Sequence, residues 1–272
     1  MMLHKISVLG GNDKTGCPET IRHLDIQTGE VLAIVGPTGS GKTQLISDIE
    51  QYANADTPTC RSILINNRPV DIDDEELISR HLVAEVSQKM NFIIDSSVEE
   101  FISRHSQIRA IENTEKVKTE ILKVTNELTG EPVYPSDNLM QLSGGQARAL
   151  MVADVALISN APVVLIDEIE NAGIDRLKAL EILTGHGKAV LIVTHDPALA
   201  LLAERRLVMK NGGMYRLHQT NEEEKDIMDR LLSIEKDTSR LRNYIRSGGS
   251  IDKNNDDEEG KSIWQEFLYT PR

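Results

Sequence analysis

A chain of 272 residues with 39% hydrophobic content can bury one large domain, or one domain and a tail. The net charge of −13 and the lack of any Lys/Arg-rich block argue against a nucleic-acid partner, because such binders carry a basic face. Cys17 and Cys60 are too few and too far apart for a four-thiolate metal site and read as two reduced thiols. Met1–Ser7 holds no signal-peptide core, and no apolar run approaches the ~20 residues of a membrane span. The expectation is a soluble, cytoplasmic chain that reaches the inner face of a membrane only through another subunit.

In chain order, residues 4–9 alternate as an edge strand, Gly10–Asp13 turns, and Thr20–Ile26 reads as a second strand. Val31–Val35 is an apolar run typical of a buried strand. It feeds Gly36-Pro37-Thr38-Gly39-Ser40-Gly41-Lys42-Thr43, and Gln44–Ile49 then opens a helix that ends near Asn54. Strand, glycine-rich turn and helix start form the context of a phosphate-binding P-loop. The glycines let backbone N–H groups close around a polyphosphate, and the helix N-terminus adds its positive dipole end. Lys42 would reach the β- and γ-phosphates, and Thr43 offers a hydroxyl to Mg²⁺.

Ser62–Ile65 is a short strand, Asp73–Arg80 a short acidic helix, and Leu82–Val86 a strand that ends at Ser87-Gln88. From Asn91 to Met140 the pattern is helical. Ser97-Val98-Glu99-Glu100 has the form of a capping box. Val117, Ile121, Val124 and Leu128 fall on one helix face as a core stripe. After Leu142-Ser143-Gly144-Gly145-Gln146 comes a helix from Ala147 to Ile158, then a buried strand, Val163–Ile166, ending in Asp167-Glu168. A helix at 177–183, a buried strand at 189–193 ending in Thr194-His195-Asp196, a helix at 198–203 and a hairpin around Gly212-Gly213 follow. Strands alternating with helices predict an α/β core with a mainly parallel sheet, an N-terminal antiparallel β-subdomain and an inserted helical subdomain near 90–142. Ligands of such sheets sit at the carboxyl ends of the strands, where Gly36, Gln88, Asp167 and His195 fall.

The order P-loop, Gln88, Leu142–Gln146, Asp167-Glu168, His195 resembles the nucleotide-binding domain of ATP-binding cassette (ABC) ATPases over roughly residues 4–218. The resemblance implies ATP and Mg²⁺ as ligands. Residues 36–43 with Gln44, and Ser143, Gly144, Gly145 and Gln146, would hold nucleotide. Thr43, Gln88 and Asp167 would serve the metal. Glu168 would be the general base, His195 the γ-phosphate contact and Gln88 the sensor of metal and water. It also implies a homodimer in which the 143–146 segment of one copy faces the P-loop of the other, so that ATP joins the subunits and hydrolysis releases them. The expected activity is ATP hydrolysis that energises membrane-spanning permease subunits; the alternative is a soluble ABC ATPase remodelling a cytosolic protein.

Several residues depart from the family pattern. The run Ile169–Asp175 lacks the proline that usually follows the glutamate and carries one extra residue. Gln44 replaces a common second hydroxyl, and residues 8–20 offer no aromatic ring for adenine. Beyond residue 218 the resemblance ends. In 219–246, Ile227, Leu231, Ile234, Leu241 and Ile245, with Thr238, suit either a short coiled-coil seam or a helix packed on its own domain. Residues 247–272 read as an acidic linker and an aromatic peptide containing Trp264, Phe267 and Tyr269.

Overall fold

The computed structural model describes residues 5–69, 82–87, 90–167, 173–251, 260–263 and 265. The expected acidic helix at 73–80, Gln88, Glu168 and the aromatic residues Trp264, Phe267 and Tyr269 lie outside the described residues. The chain divides into two compact units, Met1–Thr220 and Asn221–Arg272.

In the first unit, β1 (Lys5–Leu9), β2 (His23–Gln27), β4 (Ser62–Ile65) and β5 (Arg68–Pro69) form an antiparallel sheet of order β2-β1-β4-β5. A second sheet contains β3 (Val31–Val35), β6 (Val83–Ser87), β7 (Val163–Asp167), β8 (Ala189–Val193), β9 (Arg205–Lys210) and β10 (Gly213–Gln219). Its order is β10-β9-β3-β8-β7-β6, and all pairings are parallel except the β9–β10 hairpin. The continuous apolar runs of β7 and β8 follow from burial on both faces. Val163, Leu165, Leu191 and Val193 pack into one core with α1 (Lys42–Glu50) and the antiparallel sheet, through Leu45, Ile49, Ile6 and Leu24. Their alternates Val164, Ile166, Val190 and Ile192 enter a second core with α4 (Gly144–Leu157) and α5 (Arg176–Gly185), through Val152 and Leu180.

The inserted segment holds α2 (Val98–Ile108) and α3 (Thr114–Leu128), followed by a 3-10 turn at Leu139–Gln141. The Ser97/Glu100 capping box forms as the sequence predicts. Ile121 and Leu128 are buried, while Val117 and Val124 are partly covered, so the stripe is a core face. Among the described residues 91–97 no helix forms, and the first helix of this segment starts at Val98, so the helical pattern predicted from Asn91 overreaches. Helix α4 begins at Gly144 rather than Ala147, because Ser143 and Gln146 complete a capping box that offsets the poor helix propensity of two glycines. The β9–β10 turn is centred on Asn211-Gly212, one residue earlier than predicted. Both residues are left-handed, as a two-residue hairpin of this twist requires. Helix α6 (Pro197–Leu202) starts with Pro197 in its first turn behind the cap Asp196.

The second unit contains α7 (Glu222–Arg246), opened by an Asn221/Glu224 capping box. Near its end the hydroxyl of the buried Tyr244 donates to the Ser250 carbonyl at 3.2 Å. Among the described residues, no helix is long and apolar enough to cross a membrane.

Candidate functional site

The P-loop leaves β3 and enters α1 through residues that only glycine suits. Gly41 caps α1 at φ +98, and a Cβ there would lie 2.7 Å from the Gly212 Cα. At Gly36 a Cβ would meet the Met209 carbonyl oxygen at 2.5 Å. The loop is thus pinned on β9 and the β9–β10 turn, and Gly212 N–H donates to Ser40 O at 2.9 Å. Lys42 lies nearly buried along the loop and its Nζ donates to Gly36 O at 2.7 Å and Pro37 O at 3.3 Å. An ammonium has three donors, so one is left for a ligand. Ser40 Oγ is buried, yet has no hydrogen-bond partner among the described residues. A buried hydroxyl in that position fits a loop built to hold oxygens of a phosphate.

Strand register sets the height of the other candidates. One row of Cα partners runs Ser87, Asp167, Val193, Ile34 across four parallel strands. Gln88 and Glu168 each follow this row by one residue in sequence. Thr194 and His195 follow Val193; Thr194 is buried and His195 exposed. A cavity of about 560 Å³ is lined by residues 38–44 together with Lys14, Asp167 and His195. The P-loop, the aspartate and the histidine predicted from sequence therefore meet in one place. The Thr43 hydroxyl and Asp167 carboxylate supply oxygen donors there, the set that a hard cation such as Mg²⁺ prefers.

Ser143, Gly144, Gly145 and Gln146 are not among the described residues that line this cavity. Ser143 caps α4, so Gly144 and Gly145 form an exposed or half-exposed first turn with donor N–H groups. Gly173 runs close by, where a Cβ would meet the Gly145 Cα at 3.5 Å. Asp175 caps α5, accepting from Lys178 N–H at 3.1 Å, and its own N–H donates to Leu128 O. The next residue, Arg176, donates to Asp196 Oδ2 at 2.7 Å and ties α5 to the segment that carries His195.

Two features escape a reading of the sequence. Lys14 Nζ donates to Gly39 O at 2.8 Å, which brings a second cation to the P-loop. It also lines a neighbouring cavity of about 480 Å³ with Asn12, Asp13, Gly41, Gln44, Pro58, Thr59 and Gly212. Beneath it, the fully buried Arg61 bonds Glu19, Asp48 and the Gly212 carbonyl. Glu19 in turn accepts from Gly11 N–H and Met214 N–H, at 2.9 and 2.6 Å. Three segments far apart in sequence converge on this cluster, and no local pattern marks Arg61 as different from a solvated arginine. Beside the smaller cavity, the Thr15 hydroxyl holds the Asp13 carboxyl below its ordinary range against the opposing effect of burial, aided by the Thr15 and Cys17 N–H groups.

Residues 21–171 match the family model described as ABC transporter. An uncharacterized ABC transporter ATP-binding protein of Methanocaldococcus jannaschii is 49% identical over 248 residues, covering 91% of this chain and 95% of that protein. That match is longer than the first unit and so reaches into the second. The macrolide export ATP-binding/permease protein MacB of Campylobacter jejuni is 31% identical over 70% of this chain, which spans 30% of that protein. Among solved structures, a dimeric ATP-binding cassette in a post-hydrolysis state, bound to ADP and Pi, is 26% identical with a TM-score of 0.58. It covers 79% of this chain and 99% of that one. The chain belongs to the ATP-binding cassette (ABC) transporter family and is an ATP hydrolase of the ABC type.

Proposed function

We propose that this chain is the ATP-binding subunit of a transport complex and hydrolyses ATP-Mg between two copies arranged head to tail. The observation that carries the reading is the division of the expected machinery. Lys42, Thr43, Asp167 and His195 share a cavity, while the capped helix start at Ser143–Gly145 does not line it. A second copy would bring that helix start to the open side of the phosphates.

In this reading the P-loop N–H groups and the remaining Lys42 donor bind the β- and γ-phosphates. The N–H groups of Gly144 and Gly145 grip the γ-phosphate from the other copy, where developing charge is largest. Glu168 orients the attacking water as general base, Gln88 senses metal and water, and His195 contacts the γ-phosphate. Mg²⁺ held by the Thr43 hydroxyl and Asp167, with Gln88, would neutralise charge on the β- and γ-oxygens. The Arg176–Asp196 pair keeps the His195 segment in step with α5, which is contiguous with the 169–175 run.

Pairing with membrane-spanning subunits is supported by the MacB name, which joins ATP-binding and permease parts. It is also supported by exposed apolar residues after β6, Met90 at 37%, Ile93 at 88% and Ile94 at 48%, which suit a protein partner. The second reading, a soluble ABC ATPase that remodels a cytosolic protein, draws on the altered 169–175 run and the added second unit.

Glu168→Gln with ATP and Mg²⁺ tests the dimer. The variant should bind ATP, lose turnover and elute as a dimer, whereas Lys42→Ala should bind no ATP and stay unchanged by it. A Glu168→Gln protein that binds ATP with no change in mass would overturn the head-to-tail reading. Copurification of the tagged chain with a membrane protein, or with a soluble one, separates the two readings of its partner.

A further inference from the structure

The second unit exposes an apolar seam that the ATPase reaction does not use. Helix α7 carries Ile227, Leu231, Ile234, Leu241 and Ile245, with Thr238 completing alternating steps of four and three. Ile227, Ile234 and Ile245 are 54%, 48% and 55% exposed, large values for isoleucine on one face of a helix. We propose that this seam pairs in parallel with α7 of a second copy of the chain, forming a two-stranded coiled coil that does not depend on nucleotide.

The charges beside the seam fit a second copy of α7, and charge reversal distinguishes the parallel pair from an antiparallel one. With Ile227, Ile234 and Leu241 at d and Leu231, Thr238 and Ile245 at a, the flanking g positions hold Arg230, Asp237 and, at the end of the seam, the buried Tyr244. The flanking e positions hold Met228, Glu235 and Arg242. In a parallel in-register pair each g side chain faces the e side chain five residues further along the other helix. Arg230 then faces Glu235, and Asp237 faces Arg242, each pair occurring twice by symmetry. Both pairings are of opposite sign. Residues five apart do not face each other on a single helix, so these charges do not complement each other within one copy.

About three heptads with a polar Thr238 in the seam make a weak dimer on their own. Joined to the ATPase unit, the seam raises the local concentration of one copy for the other. On the reading that hydrolysis releases the head-to-tail dimer, α7 would keep the two copies together between turnovers. The match with the M. jannaschii relative covers 248 residues, more than the first unit holds, so part of the second unit is shared with that relative.

Sedimentation velocity on the full-length chain without nucleotide tests the proposal. The wild type should show a reversible monomer–dimer equilibrium, and Ile234→Asp should abolish it. Arg230→Glu and Glu235→Arg should each weaken association about tenfold by setting two like-charged pairs across the seam. The double variant Arg230→Glu/Glu235→Arg should return to within about threefold of wild type. An antiparallel pair would give no such rescue, since Arg230 would then face Asp237 and Glu235 would face Arg242. Thr238→Ile should tighten the dimer at least about tenfold, a gain that misfolding cannot imitate. The proposal is overturned by a wild type and a Thr238→Ile variant that both stay monomeric, or by a double variant weaker than either single one. These measurements exclude nucleotide, so their failure would leave the ATP-trapped dimer of Glu168→Gln standing.

Discussion

Arg61 Nη1 donates to Asp48 Oδ2 at 2.8 Å, and both side chains are fully buried. The same guanidinium holds Glu19 and the Gly212 carbonyl, so one cation joins the N-terminal loop, the P-loop helix and the β9–β10 turn. Arg61→Met preserves much of the volume and leaves two buried carboxylates without their cation. The expected loss of stability is about 3–5 kcal/mol, read as a lower urea midpoint with an unchanged slope. Because Thr59 and Gly212 line the smaller cavity, nucleotide affinity should fall in the surviving folded protein.

The smaller cavity shares Lys14, Gly41 and Gln44 with the P-loop cavity, and we propose it as the place of the nucleotide base. Among the described residues, no aromatic ring lines it. Tyr52 does not supply one, since its hydroxyl accepts from Leu82 N–H at 3.2 Å and its ring packs on Ile65 and Leu82. Without base stacking, worth roughly 1–3 kcal/mol, ATP and GTP affinities should agree within about tenfold. Competition of GTP against a fluorescent ATP analogue measures the ratio, and a far larger preference for ATP would show a base pocket elsewhere.

The antiparallel sheet carries an acid-sensitive anchor. Burial pushes the Asp25 carboxyl up, but hydrogen bonds from Ser7, His23 and Lys5 outweigh it and hold the group at about 2, below its ordinary 3.8. A depressed folded-state value stabilises the protein above the unfolded value, and that stabilisation is lost as pH falls from about 4 to about 2. Asp25→Asn should therefore lower the melting temperature at about pH 7. The gap to wild type should close as the melts approach about pH 2.

Every described residue that lines the two cavities belongs to the first unit. The boundary falls at Thr220, just beyond β10 and two residues past the 218 expected from sequence. Removing residues 221–272 should leave a folded, ATP-hydrolysing core, checked by a cooperative thermal melt and phosphate release. The truncated chain should also lose any association seen without nucleotide. An insoluble product would show that the unit boundary is not a folding boundary.

The alternation of apolar strands and helices was legible because each two-faced strand had to be hydrophobic throughout, as in Val163–Ile166 and Ala189–Val193. The P-loop was legible because its glycines answer a purely local demand, such as the left-handed Gly41. Helix starts were less legible, since Gly144 and Gly145 read as loop until Ser143 and Gln146 are seen to cap them. The Arg61 cluster and Lys14 were invisible for another reason. Their partners are 42 and 25 residues away, and nothing in a single stretch announces a contact that the fold creates.

The level row Ser87, Asp167, Val193, Ile34 acts as a ruler built from hydrogen bonds. A slip of one residue in any of these strands would turn its side chains to the other face and move its end by about 3.3 Å, which two buried cores forbid. Whatever lengthens or shortens a connection after the row leaves the departure points untouched. The run from 169 to 175 follows the row in sequence, so a change in its length leaves the register that places Asp167 unchanged. Variation in this protein is in that sense insulated: the sheet measures, and the loops are free to differ.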